Sequence, residues 1–284
     1  MPQSVPHLVS TDWLADHLGA PDIKIVDGSW HMPAAARDPR AEFEEAHIPG
    51  AVFFDLDEIS DTDSPYPHML PSTEKFCSRM KSMGIGDGHH IIAYDSSGLF
   101  SAARLWWTFR VHGHERVSVL NGGLKKWKAE GRPLAHGISE ASERHYTARI
   151  NNFIIRDKAA IRSNIESKRE QVIDARSKGR FDGTAPEPRA GLASGHIPGS
   201  LSLPFDLLIS EEGTLKDETD LRAHFEAAGV DLARPIITTC GSGVTAAILY
   251  LALTSIGHQN VALYDGSWTE WAADPTSPIK TSGS

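Results

Sequence analysis

Short apolar runs of four to six residues alternate with longer amphipathic segments along this chain, and the alternation is written twice. In the first half the runs are Ile23-Lys-Ile-Val-Asp27, Ile91-Ile-Ala-Tyr-Asp95 and Val117-Ser-Val-Leu. In the second half Val172-Ile-Asp174, Pro235-Ile-Ile-Thr-Thr-Cys240 and Val261-Ala-Leu-Tyr-Asp265 stand in the same order. Runs of this length and β-rich composition read as buried strands, and the segments between them read as covering helices. Helix signals agree: Ser72 and Glu74 predict a helix over Glu74 to Met83 stopped by Gly84, and Asp217 to Asp220 opens Leu221 to Ala228 before Gly229. Further helices are predicted from Ser101 to Val111 and from Thr245 to Ile256, the latter apolar at nearly every position.

The loops repeat as well. Phe43-Glu-Glu-Ala-His47-Ile-Pro-Gly50-Ala is echoed by Ser194-Gly-His196-Ile-Pro-Gly199-Ser. The offsets are 147 from Asp27 to Asp174, 149 from His47 to His196 and 145 from Asp95 to Cys240. A steady order with small drifts marks a duplicated module with loop insertions. The expected fold is therefore α/β, two tandem domains, each a mainly parallel sheet covered by helices on both faces. The first domain is expected over 1–140 and the second over 156–284, with the polar, weakly periodic stretch 141–155 as linker. His47 and His196 occur in both copies, so both read as loop-fixing side chains. Trp106 and Trp107 read as core, and Trp268 and Trp271 as core or interface packing.

Composition narrows the function. With 284 residues, 40% hydrophobic and 23% charged, the chain can bury two ordinary cores. A net charge of −9 argues against nucleic acid or an anionic membrane as partner. No apolar run approaches the ~20 residues needed to span a bilayer. The opening Met-Pro-Gln-Ser-Val-Pro-His lacks the pattern of a secretory leader. The only cysteines are Cys77 and Cys240, which is no disulfide framework, so a reducing, cytoplasmic location is expected. No metal spacing is present, and no cofactor is expected.

Cys240 carries the candidate chemistry. It ends a strand and precedes Gly241-Ser242-Gly243-Val244-Thr245, at the start of a helix, where open α/β sheets bind ligands. Glycines there turn backbone N–H groups inward into an anion nest, and such a loop favours a reactive thiolate and a charged persulfide. In the first copy Asp95 stands at the cysteine position, so that copy reads as non-catalytic. Three other readings compete. A cysteine is often only a small buried hydrophobe, which is the reading given to Cys77. A cysteine phosphatase needs an arginine six positions on, and that residue is Ala246. Gly241-Ser-Gly243-Val-Thr-Ala246 also matches a dinucleotide fingerprint, but only 19 residues follow Asp265 and the first copy lacks the pattern.

These residues resemble the two-domain rhodanese-type sulfurtransferases. Phe43-x-x-x-His47-Ile-Pro-Gly50-Ala is similar to the family's N-terminal signature, and Val261 to Trp271 is similar to its C-terminal one. The loop Cys240-Gly-Ser-Gly-Val-Thr245 resembles the branch that uses 3-mercaptopyruvate; thiosulfate enzymes typically carry Arg and Lys where this chain has Gly241 and Ser242. The resemblance implies transfer of sulfur from 3-mercaptopyruvate through a Cys240 persulfide to a thiol or cyanide, with release of pyruvate and with a thioredoxin-like reductant among candidate partners. It implies substrate binding by Arg180, Arg189, Gly241, Gly243, Val244 and Thr245, and a proton relay of Ser242, His68 and Asp57. Here Pro67 precedes His68 where the family often has Asp. A thiosulfate sulfurtransferase is the alternative, and a non-catalytic rhodanese-like binding module a further one.

Overall fold

A computed structural model describes residues 5–138 and 141–283. The first four residues of the N-terminal segment and the last two of the expected first domain lie outside the described residues. Two compact units are present. The first comprises Met1–Thr62, Leu70–Asn151 and Glu211–Leu215, and the second Asp63–Met69, Asn152–Ser210 and Lys216–Ser284.

In the first unit the elements run β1 (Leu8–Val9), α1 (Thr11–Asp16), β2 (Ile23–Asp27), α2 (Pro39–Glu45), β3 (Val52–Phe53), α3 (Thr73–Ser82), β4 (His90–Tyr94), α4 (Ala102–Val111), β5 (Val117–Leu120) and α5 (Gly123–Ala129). The second unit runs β6 (Ile155–Arg156), α6 (Lys158–Ser167), β7 (Gln171–Asp174), α7 (Lys178–Asp182), β8 (Leu201–Ser202), α8 (Glu218–Ala227), β9 (Ile236–Thr239), α9 (Ala246–Ser255), β10 (Val261–Tyr264) and α10 (Ser267–Ala273). The sheet orders are β1-β5-β4-β2-β3 and β6-β10-β9-β7-β8, every pairing parallel. Adding five to each strand of the first order gives the second. The duplication read from the sequence is thus a duplication of topology.

The central strands β4 and β9 are buried at every position, as expected for strands covered on both faces. The helix that follows each is apolar for the same reason: all of α4 but Arg110 and all of α9 but Ser255 are buried. Side-chain caps start the exposed helices. Ser72 caps α3, Asp157 caps α6 and Asp217 caps α8, each accepting a backbone N–H of the first turn. Each core is closed by a tryptophan of its last helix. Trp127 donates to Pro133 O at 2.8 Å, and Trp271 to Pro278 O at 3.0 Å.

His47 and His196 fix matching corners. Each imidazole stacks on a phenylalanine and bonds that residue's carbonyl, Phe43 at 2.7 Å and Phe181 at 2.9 Å. Each backbone pairs across an antiparallel bridge, to Ala135 and to Lys280. Trp106 and Trp107 are fully buried, and so are Trp268 and Trp271.

The stretch expected as linker is not loose along its length. Arg149 N–H donates to His112 O at 3.0 Å and Asn151 N–H to Val111 O at 2.7 Å, and Tyr146 is buried in the first unit. Ile155 pairs with Leu263 as part of an edge strand of the second sheet. Among the described residues no helix is long and apolar enough to cross a membrane.

Candidate active site

The loop after β9 occupies the carboxyl end of the central strand of the second sheet, and α10 holds it in place. Trp268 N–H donates to Cys240 O at 2.9 Å, while Thr269 donates its N–H and its hydroxyl to Gly241 O at 2.9 and 2.6 Å. Cys240 N–H donates to Ser267 Oγ at 3.2 Å, and that hydroxyl donates to Tyr264 O at 2.8 Å. Ser267 makes these bonds from φ +50°, a left-handed conformation that costs a side-chain-bearing residue roughly 1–3 kcal/mol. Its counterpart in the first unit is Gly123, at φ +52°. The second copy thus places a hydroxyl at a position where the first has the unstrained residue.

The Cys240 side chain is almost wholly buried. Gly243, at φ +78°, provides the left-handed turn that folds the loop back toward α9. Val244 and Ser242 are buried, and Thr245 is partly exposed just before the helix.

Ser242 brings together three of the expected residues. Its Oγ lies 3.0 Å from His68 Nδ1 and 3.5 Å from Arg189 Nη2. A guanidinium only donates, so Ser242 accepts from Arg189 and can turn its own hydrogen toward His68 Nδ1. His68 is buried and sits at φ +62°, a left-handed conformation that is uncommon for a residue with a side chain. Asp57 belongs to the first unit, where its carboxylate accepts the Trp30 indole N–H at 3.0 Å.

Arg180 approaches the loop from α7. A Cβ added to Gly241 would lie 3.0 Å from Arg180 Nη2, so the missing side chain makes room for the guanidinium. Behind it stands Glu187, which accepts from Arg180 Nε at 3.1 Å and Nη2 at 2.5 Å, and from Arg176 Nη1 at 2.8 Å. Arg176 is fully buried, bonds Asp174 and Gly195 O, and lies 4.1 Å over the Trp268 ring. Burial opposes its charge, but Asp174 and Glu187 outweigh that and hold its pKa above the usual arginine value.

The first unit displays the same frame with other chemistry. Asp95 turns its carboxylate into its own loop. There it accepts the N–H groups of Ser97 at 2.9 Å, Phe100 at 2.7 Å, Ser101 at 2.9 Å and Ala102 at 2.8 Å. The cradle after β4 is thus filled by an anion belonging to the chain. On α2, the residue before the stacked Phe43 is Glu42, ion-paired to Arg37 and hydrogen-bonded to His31; on α7 the residue before the stacked Phe181 is Arg180. One copy directs a carboxylate where the other directs a guanidinium.

A family model for the rhodanese-like domain matches residues 10–130 and 157–274, one match in each unit. The chain belongs to the rhodanese-like family. Among curated relatives of this rhodanese-like protein, the 3-mercaptopyruvate sulfurtransferase of Homo sapiens is 45% identical over 276 residues, covering 95% of this chain and 93% of the relative. The thiosulfate sulfurtransferase of Bos taurus is also 45% identical, over 271 residues, covering 93% and 91%. Of solved structures, SseA from Escherichia coli, described with the catalytic mechanism of 3-mercaptopyruvate sulfotransferases, matches with TM-score 0.86 and 41% identity. The match covers 93% of this chain and 99% of SseA.

Glu187 and Ser267 were not among the residues expected at the site from sequence. Both lie inside stretches that stood out, Glu187 between Pro186 and Pro188 and Ser267 in the Asp265-Gly-Ser-Trp268 turn. An acid flanked by prolines between two arginines is the one signal that points to the first.

Proposed function

We propose that this chain is a sulfurtransferase that takes sulfur from 3-mercaptopyruvate onto Cys240 and passes it to a thiol or to cyanide. The Cys240 thiolate attacks the donor's sulfur, the S–S bond forms and the donor's C–S bond breaks. The electron pair of that bond moves toward the carbonyl, giving the enolate of pyruvate. The proton from the donor's thiol and the proton taken up by the enolate carbon balance, leaving pyruvate and a persulfide. Ser242 and His68 are the pair that moves this proton, with Ser242 as the donor nearest the leaving group. The persulfide anion lies among the backbone N–H groups of Gly241 to Thr245, the same kind of cradle that Asp95 fills in the first unit.

The observation that carries the donor assignment is the pair of guanidiniums beside a loop with no charge of its own. Arg180 against Gly241 and Arg189 on Ser242 suit a carboxylate held some distance from the reacting sulfur. Thiosulfate carries its charge on the group directly bonded to the transferred sulfur and would be better met by cations on the loop itself. Overall identity does not separate the two donors, since the human and bovine relatives are equally similar to the chain. The acceptor half-reaction regenerates the Cys240 thiolate when cyanide or a thiol attacks the outer sulfur. A thioredoxin-like dithiol would release it as sulfide while forming its own disulfide. Both cysteines are free thiols, which suits a reducing compartment such as the cytoplasm. Presenting each donor separately and measuring pyruvate and Cys240-bound sulfur tests the reading. Faster loading from thiosulfate replaces the donor, and no loading from either sinks the enzyme.

A further inference from the structure

The second unit contains a buried ionic chain at a place where, among the described residues, the first unit has a serine-bonded aspartate instead. It begins at Asp174, the end of β7, and passes through Arg176 and Glu187 to Arg180, which ends against the Cys240 loop at Gly241. The Glu187 side chain is only 3% exposed and the Arg176 side chain 0%, whereas Arg180 retains 20%, so the chain opens toward solvent only at its last member. Two carboxylates and two guanidiniums leave it neutral.

The fold does not require it. In the first unit Asp27 stands where Asp174 does, but its partners are the N–H and hydroxyl of Ser29 rather than a guanidinium. The sheet order is the same without the network. A set of buried charges that one copy carries and the other omits, and that ends on the loop bearing the nucleophile, is there for the site.

We propose that Glu187 is a positioning residue that holds Arg180 in register with the Cys240 loop. The inference rests on the reading of Arg180 as partner of the donor's carboxylate. A guanidinium on a five-residue helix has four soft torsions, and Glu187 grips it by Nε and Nη2 together, which sets both direction and roll. Glu187 is itself fixed by Arg176, which is tied to the sheet through Asp174. Loss of the Glu187 charge therefore leaves Arg180 present but misplaced, and leaves two guanidiniums against one remaining carboxylate, Asp174, which bonds Arg176.

The test is a double-mutant cycle of Glu187→Gln and Arg180→Ala, with KM and kcat for 3-mercaptopyruvate measured on folded protein checked by circular dichroism. Glu187→Gln should raise KM on the order of tenfold with kcat little changed. Arg180→Ala should raise it at least as far, and the double variant should be no worse than Arg180→Ala alone. Effects that multiply, or an unchanged KM in Glu187→Gln, overturn the positioning role while leaving Arg180 as the carboxylate partner. An unchanged KM in Arg180→Ala overturns that reading and this inference together. If Glu187→Gln does not fold, Glu187→Asp keeps the charge and shortens the grip, and the same cycle applies with the same outcomes.

Discussion

His68 Nδ1 and Ser242 Oγ lie 3.0 Å apart within the second unit, although 174 positions separate them in the chain. A hydroxyl that accepts from Arg189 and faces an imidazole can give a proton and have it replaced. The pair should matter only where a proton is needed. Ser242→Ala and His68→Gln should each slow pyruvate release in single turnover by roughly 10²-fold. Transfer of sulfur from preformed persulfide to cyanide should be nearly unaffected. Equal slowing of both half-reactions would assign the two residues to loop geometry instead.

Gly241 allows Arg180 its place. In Gly241→Ala the new methyl would stand 3.0 Å from Arg180 Nη2, so the guanidinium must retreat by a few tenths of an ångström. KM for 3-mercaptopyruvate should rise several-fold while the fold is kept, because the flexible end of a side chain yields more readily than backbone. Steady-state kinetics on the purified variant checks this, and an unchanged KM would show that Arg180 does not depend on that space.

Asp95 is a structural anion. Its carboxylate takes four backbone N–H groups, and Asp95→Ala would leave those donors at the start of α4 without it. Charge-assisted bonds of this kind contribute about 1.5–3 kcal/mol each in the upper case, and non-additivity makes a loss of about 2–4 kcal/mol the expected effect. Urea unfolding should show that loss, whereas Cys240 in the folded variant should still load sulfur. Asp95→Asn, which keeps one acceptor oxygen, should lose less.

Asp27 makes stability depend on pH. Burial raises its pKa from 3.8 to about 6, and bonds from Ser29 and Tyr94 only partly offset this. The folded chain therefore holds this proton more tightly than the unfolded chain does. The stabilisation is fully present below about pH 4 and is lost as pH rises through about 6. Asp27→Asn can still accept from Ser29 and carries no charge to bury. Its stability relative to the parent should grow between pH 4 and 6 and then level off, as followed by thermal unfolding across that range. Parallel profiles for the two proteins would contradict the assignment.

Much of the frame was legible because it rests on local pattern. The runs around Ile25, Ile92, Val172 and Ile237 are long and apolar enough to be read directly as strands, and α9 announces itself by being apolar on every face. The two-residue edge strands, such as Leu8–Val9 and Ile155–Arg156, are too short to carry a period. The segment around Arg149 and Asn151 is polar and aperiodic, yet it is tied to α4's end by backbone bonds that side-chain pattern cannot reveal. At the site, the Cys240 loop was visible from its glycines. The dual grip of Glu187 and the left-handed Ser267 were not: the first depends on how the loop folds Glu187 back onto Arg180 and Arg176, seven and eleven positions before it, and the second on a bond to Cys240, 27 positions away. That Asp95 stands at the cysteine position is plain from the repeat; that its carboxylate fills its own loop depends on backbone N–H groups the sequence does not display.

The most direct measurement is the intact mass of the protein after brief exposure to 3-mercaptopyruvate, with pyruvate counted in the same sample. The expected result is one added sulfur, mapped to Cys240, with one pyruvate released per sulfur and neither seen in Cys240→Ser. Pyruvate release without sulfur on Cys240, or equal loading in Cys240→Ser, would contradict it.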